Sequence, residues 1–110
     1  MIPFLIVVPF KEGRVDAYRK FAEVITGPKK REYADMLRRL GLKSTRVWIQ
    51  SLGGKEYAVV YHDAEEKAAD HLKHWMVSTH PFDVWFREQL AGFYEGPIEP
   101  SQHLFDFEAR

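Results

Sequence analysis

Apolar residues change their spacing several times along the chain, and each change marks an element. Ile2-Pro3-Phe4-Leu5-Ile6-Val7-Val8-Pro9-Phe10 is a short run rich in β-branched residues and reads as a strand. It is apolar on both faces, so cover on both sides is expected. From Val15 the spacing becomes helical. Val15, Tyr18, Phe21, Ala22 and Ile25 share one stripe, with Arg14, Asp16, Arg19, Lys20 and Glu23 mostly outside it. Gly27-Pro28 interrupts the pattern. Tyr33, Met36, Leu37 and Leu40 resume it before Gly41, a residue suited to a helix C-terminal cap. The spacing predicts a long kinked helix, or two joined, from about Arg14 to Leu40.

Lys43 to Ser51 and Glu56 to His62 read as two strands around Gly53-Gly54. A Gly-Gly pair permits positive φ at both turn positions, which predicts a hairpin. Asp63 is suited to cap a helix from about Ala64 to Val77, and Ser78-Thr79-His80-Pro81 to restart another carrying Phe82, Trp85, Phe86, Leu90 and Phe93. After a Gly-Pro-rich loop, Ser101 to Glu108 reads as a final strand. The order β-α-β-β-α-β is the ferredoxin-like arrangement, an α+β fold whose antiparallel sheet carries its helices on one face. Residues 1–110 are read as one such domain, because a chain of this length does not hold two cores.

With Gly53 and Gly54 as the loop, Leu52 pairs with Lys55, Trp48 with Val59 and Arg46 with Tyr61. One sheet face then carries Arg46, Trp48, Gln50, Tyr57, Val59 and Tyr61; the other carries Thr45, Val47, Ile49, Ala58, Val60 and His62. The small, aliphatic set suits the helix side. The aromatic set is too apolar to leave in water, which points to a homodimer with Arg46, Trp48, Gln50, Tyr57 and Tyr61 at its interface.

Composition narrows the functional classes. The 16 Lys and Arg balance the 16 Asp and Glu, so there is no basic excess for a nucleic-acid partner. The absence of cysteine removes disulfides, thiolate metal sites and a Cys nucleophile. No apolar run is long enough to span a membrane, and the opening segment lacks the basic start of a signal peptide, so a soluble cytoplasmic protein is expected. No phosphate loop, nucleophile elbow or paired carboxylate motif is present, and no cofactor is called for.

The element order, the strand Arg46-Val47-Trp48-Ile49-Gln50, the Gly53-Gly54 hairpin, the strand Tyr57-Ala58-Val59-Val60-Tyr61 and the segment Pro81-Phe82-Asp83-Val84-Trp85-Phe86 together resemble the dimeric α+β barrel superfamily. The last segment is most similar to an uncharacterised family of small proteins within it. The resemblance implies two ferredoxin-like sheets packed face to face, with a ligand pocket between sheet and helices. It also implies distant likeness to rhamnose mutarotases and antibiotic-biosynthesis monooxygenases, the latter working without a cofactor. The mutarotases carry a Tyr followed four residues later by a His; here Tyr18 matches but Ala22 follows, which removes that histidine.

Among the five histidines, helical phase places His71 about 80° from the inner stripe of Ala68, Leu72, Trp75 and Met76, and His74 about 140° from it. Strand parity places His62 on the helix side. His71 and His62 are therefore the candidate acid–base pair, with Tyr18, Trp75 and Trp85 as candidate ligand-binding residues. His71, His74 and His80 lack converging partners, so no metal is expected. Two readings stay open: a dimeric protein binding a small organic molecule between sheet and helices, and a small-molecule enzyme (monooxygenase or isomerase) using a pocket histidine.

Overall fold

Alternation in the first strand decides which side of the sheet is covered. In the computed structural model, which describes residues 1–110, strand β1 (Ile2–Pro9) buries Phe4, Ile6 and Val8 under the helices. Val7, of opposite parity, is 47% exposed. The expectation that β1 is covered on both sides is thus met on one side only within the chain. Strands β2 (Leu42–Leu52) and β3 (Lys55–Ala64) complete an antiparallel sheet in the order β1-β3-β2. The hairpin register is the one the glycine pair predicts: Leu52 pairs with Lys55, Trp48 with Val59 and Arg46 with Tyr61. Gly53 and Gly54 adopt φ of 60° and 80°, the left-handed values that a two-residue turn of this hand needs.

Helices α1 (Val15–Thr26), α2 (Lys30–Arg39), α3 (Ala68–Trp75) and α4 (Pro81–Phe93) lie on the face that carries Phe4, Ala58 and His62. The break between α1 and α2 falls at Gly27, where a Cβ would come within 2.8 Å of the Glu23 carbonyl oxygen. Aromatic side chains join the layers. Phe21 of α1 meets Phe86 and Phe93 of α4, and Tyr33 of α2 stacks on Phe86 at 5.6 Å. Arg39 of α2 donates to both oxygens of the fully buried Asp83 carboxylate, at 2.7 and 2.8 Å, and Ser78 Oγ adds a third bond. His80 caps α4 by accepting from the Phe82 N–H, with Pro81 opening the helix.

Two elements differ from the sequence expectation. Asp63 and Ala64 do not start a helix; they extend β3, where Ala64 pairs with both Ile2 and Leu42, and α3 begins only at Ala68. Pairing on both edges outweighs the capping preference of Asp63. The expected strand Ser101 to Glu108 is also absent. The chain reaches the free edge of β1 through a bridge between Pro100 and Ile6 and a bond from the Ser101 N–H to the Leu5 carbonyl, then runs on exposed. That approach is on the side of β1 where a fourth ferredoxin-like strand would lie. No helix is long and apolar enough to cross a membrane.

Candidate functional site

Helices resting on one face of a strongly alternating sheet leave space where side chains on the two layers do not interdigitate. Here the gap is a cavity of about 270 Å³. Phe4, Ile6 and Val60 form its floor on the sheet; Phe21, Leu72 and Leu90 form much of its helical roof. Polar groups enter the wall at only a few positions, and the important ones fall into two clusters.

The first cluster sits at the end of the β2–β3 pairing. His62 and Thr45 are cross-strand partners with their side chains on the helix side. His62 is 6% exposed, and its Nδ1 lies 2.9 Å from Thr45 Oγ1 and 3.4 Å from the Ser44 carbonyl oxygen. A carbonyl can only accept, so the Ser44 contact favours the tautomer with the proton on Nδ1. Burial pushes the His62 pKa below its ordinary value, with the Ser44 carbonyl opposing the shift in part. The ring is therefore neutral near pH 7, and Nε2 keeps its lone pair. Tyr33 lies beside Thr45, its hydroxyl held above the ordinary tyrosine pKa by burial.

The second cluster is a tyrosine pair. The hydroxyls of Tyr18 and Tyr94 share a 2.8 Å hydrogen bond in the core. Desolvation raises both pKa values, so both phenols stay protonated. One hydroxyl donates and the other accepts, leaving one O–H donor on the pair, as well as acceptor lone pairs, unused.

The structure distributes the sequence-selected residues over three places. Tyr18, His62 and Trp75 line the cavity. Trp85 is not in its wall; it packs on Phe21 and Phe82, with the Lys29 ammonium 4.9 Å from its ring centre. His71 lines a separate polar crevice with His74, Arg39 and Asp83, so the structure does not bring His71 and His62 into one cavity. On the outer sheet face Arg46, Trp48 and Gln50 are exposed, and Tyr57 and Tyr61 are half-buried. No group of three or more His, Asp or Glu side chains converges anywhere in the chain.

Sequence reasoning passed over Tyr33, Thr45 and Tyr94. Parity had placed Thr45 on the helix side, and the α2 stripe included Tyr33, so both were within reach. Tyr94 stands four residues after Leu90, in step with the α4 stripe, but it follows the last helical residue in extended backbone, and nothing in its spacing points to Tyr18.

No protein-family model matches the chain, and no curated protein matches it. Among solved structures, the chain is similar to tetracenomycin F2 cyclase from Streptomyces glaucescens, a type-II polyketide cyclase. The TM-score is 0.61 over 100% of both chains, at 13% sequence identity. At that identity the likeness concerns the fold: the chain shares the α+β arrangement of that cyclase.

Proposed function

We propose that the protein binds a small, mainly apolar organic molecule carrying at least one hydroxyl or carbonyl group, held between sheet and helices. The observation that carries this reading is the cavity itself, an apolar space of about 270 Å³ with His62 Nε2 unpartnered in its wall. An engineered cavity of about 150 Å³ accepts benzene, and drug-sized ligands need roughly 300 Å³ or more. The space therefore suits a molecule of one or two rings. A ligand hydroxyl can donate to His62 Nε2, and a carbonyl can accept from the Tyr18–Tyr94 pair. Similarity to a polyketide cyclase agrees with a ring-bearing ligand. We also propose that two copies pair through the outer sheet face, covering Trp48, Arg46, Gln50, Tyr57 and Tyr61.

A second reading, catalysis, has one specific observation in its favour. A neutral imidazole with a free Nε2 in an apolar cavity is placed to act as a general base toward an acidic C–H or O–H of the ligand. His71 opens on the neighbouring crevice and takes no part in this proposal.

Paired probes test the binding reading. Calorimetry with 2-naphthol and naphthalene should show both binding, with 2-naphthol preferred by roughly two- to tenfold, the value of one net hydrogen bond. His62→Phe should keep naphthalene and lose the preference. No binding of either probe, or a preference that survives in His62→Phe, would overturn it.

A further inference from the structure

Trp75 stands in two walls at once. It lines the apolar cavity, and it lines the polar crevice of about 420 Å³ that opens beside His71, between the end of α2, α3 and the start of α4. The side chain is 6% exposed, and its indole N–H is enclosed with no acceptor in the chain. One turn earlier on α3, His71 Nδ1 is enclosed and also unpartnered. Buried polar atoms are nearly always hydrogen-bonded, so two orphans on one helix, both on residues in the wall of one space, need an outside partner. We infer that this crevice is a second binding site, separate from the space between sheet and helices, and that it takes the carboxylate of a small organic acid, with Trp75 Nε1–H as a donor.

Hydrogen-bond accounting in the crevice favours an accepting ligand. Asp83 is the one carboxylate in its wall, and both its oxygens are already engaged by Arg39 and Ser78. The carbonyls of Trp75 and Ser78 accept from Arg87 at 2.6 and 2.7 Å. Donors are left over. The indole N–H can only donate, and the hydroxyl of Thr79 stands in the same wall. A group rich in acceptors satisfies this surplus, whereas an amine or ammonium would not.

Charge and shape narrow the class. Arg39 is balanced by Asp83 and Asp35. Arg87 is half-buried and forms no ion pair in the chain, and its guanidinium lies 5.7 Å from the centre of the Trp75 ring. One positive charge beside the crevice is therefore unbalanced, which suits a monoanion better than a phosphate dianion. Leu40 and Val77 add apolar wall against which an organic body can rest.

The inference does not rest on the cavity ligand proposed above, and the test keeps the two apart. The chain has three Trp, so isotope-labelled indoles give three N–H signals, and Trp48→Phe and Trp85→Phe identify the other two. At neutral pH and fixed ionic strength, benzoate should move the Trp75 indole proton downfield in a saturable way and shift the His71 ring signals with it. Benzamide, similar in shape but uncharged, should bind about tenfold or more weakly. Trp75→Phe should weaken benzoate on the order of tenfold, and Thr79→Val, at an exposed position, roughly two- to fivefold; circular dichroism checks that each is folded. A Trp75 signal that ignores benzoate, or benzamide held as tightly as benzoate, would overturn the site. A Trp75 signal that answers 2-naphthol but not benzoate would assign the donor to the cavity and overturn the crevice while leaving the cavity reading intact. Inorganic phosphate held more tightly than benzoate would overturn the assignment to a carboxylate.

Discussion

His62 Nδ1 and Thr45 Oγ1 stand 2.9 Å apart as direct cross-strand partners, inside the layer that separates sheet from helices. The pair fixes the imidazole plane and leaves Nε2 as the accepting atom available to a ligand. It also makes His62 a buried base, with consequences for stability.

The folded pKa of His62 is depressed below 6.5. As pH falls through that ordinary value, the unfolded chain takes up a proton that the folded chain resists. Stability therefore falls on acidification, starting near 6.5, by up to about 1.4 kcal/mol per pH unit, until the folded pKa is reached. Denaturant unfolding at pH ~7 and ~5.5 should show a smaller loss in His62→Gln than in the parent. Equal losses in the two proteins would mean that His62 is not the group responsible.

The Tyr18–Tyr94 hydrogen bond should behave as a coupled unit. Either Tyr→Phe change leaves a buried hydroxyl without its partner and is expected to cost about 1–2 kcal/mol. Changing both removes both polar groups, so the double variant should cost less than the sum of the singles. Strict additivity in this double-mutant cycle would show that the two hydroxyls do not interact.

Arg39 and Asp83 tie α2 to α4. Burial alone would raise the Asp83 pKa, but its hydrogen bonds from Arg39 and Ser78 leave it below the ordinary carboxylate value. Arg39→Ala strands a carboxylate that is fully enclosed, and a loss of about 3 kcal/mol in unfolding free energy is expected. Asp35→Ala, which removes only the exposed i,i+4 partner of Arg39, should cost less than about 1 kcal/mol. Similar small losses for both variants would show that the buried pair contributes little.

The fold was legible where local chemistry and tertiary pairing agree. Gly53-Gly54 determined the turn, and through it the side of the sheet on which Thr45, His62 and Trp48 fall. Legibility failed where pairing overrode local preference. Asp63 is a good helix cap in isolation, yet it lies between two strands that both pair with it. Ser101 to Glu108 has strand-like alternation, but only Pro100 and Ser101 reach the edge of β1, and the residues beyond them are exposed. The cavity was legible in part: helical stripe and strand parity located Tyr18, Trp75 and His62. Tyr94 was not, because its role comes from a contact with a residue 76 positions away. Helical phase set His71 beside the inner stripe of α3 and His74 outside it, yet both line the polar crevice and Met76 of that stripe is exposed, because phase about one helix axis does not say which of two adjoining spaces a side chain enters.

The most direct measurement is an NMR titration of methyl-labelled protein with 2-naphthol. Ile6, Ile25, Val60, Leu72 and Leu90 line the cavity, whereas Val7 and Leu52 lie outside it. Occupation of the cavity requires saturable shifts at the first group, little change at the second, and weaker binding in Ala22→Phe, which narrows the space from α1. Shifts confined to Val7 and Leu52, or full-strength binding in Ala22→Phe, would place the ligand elsewhere and contradict the proposed site.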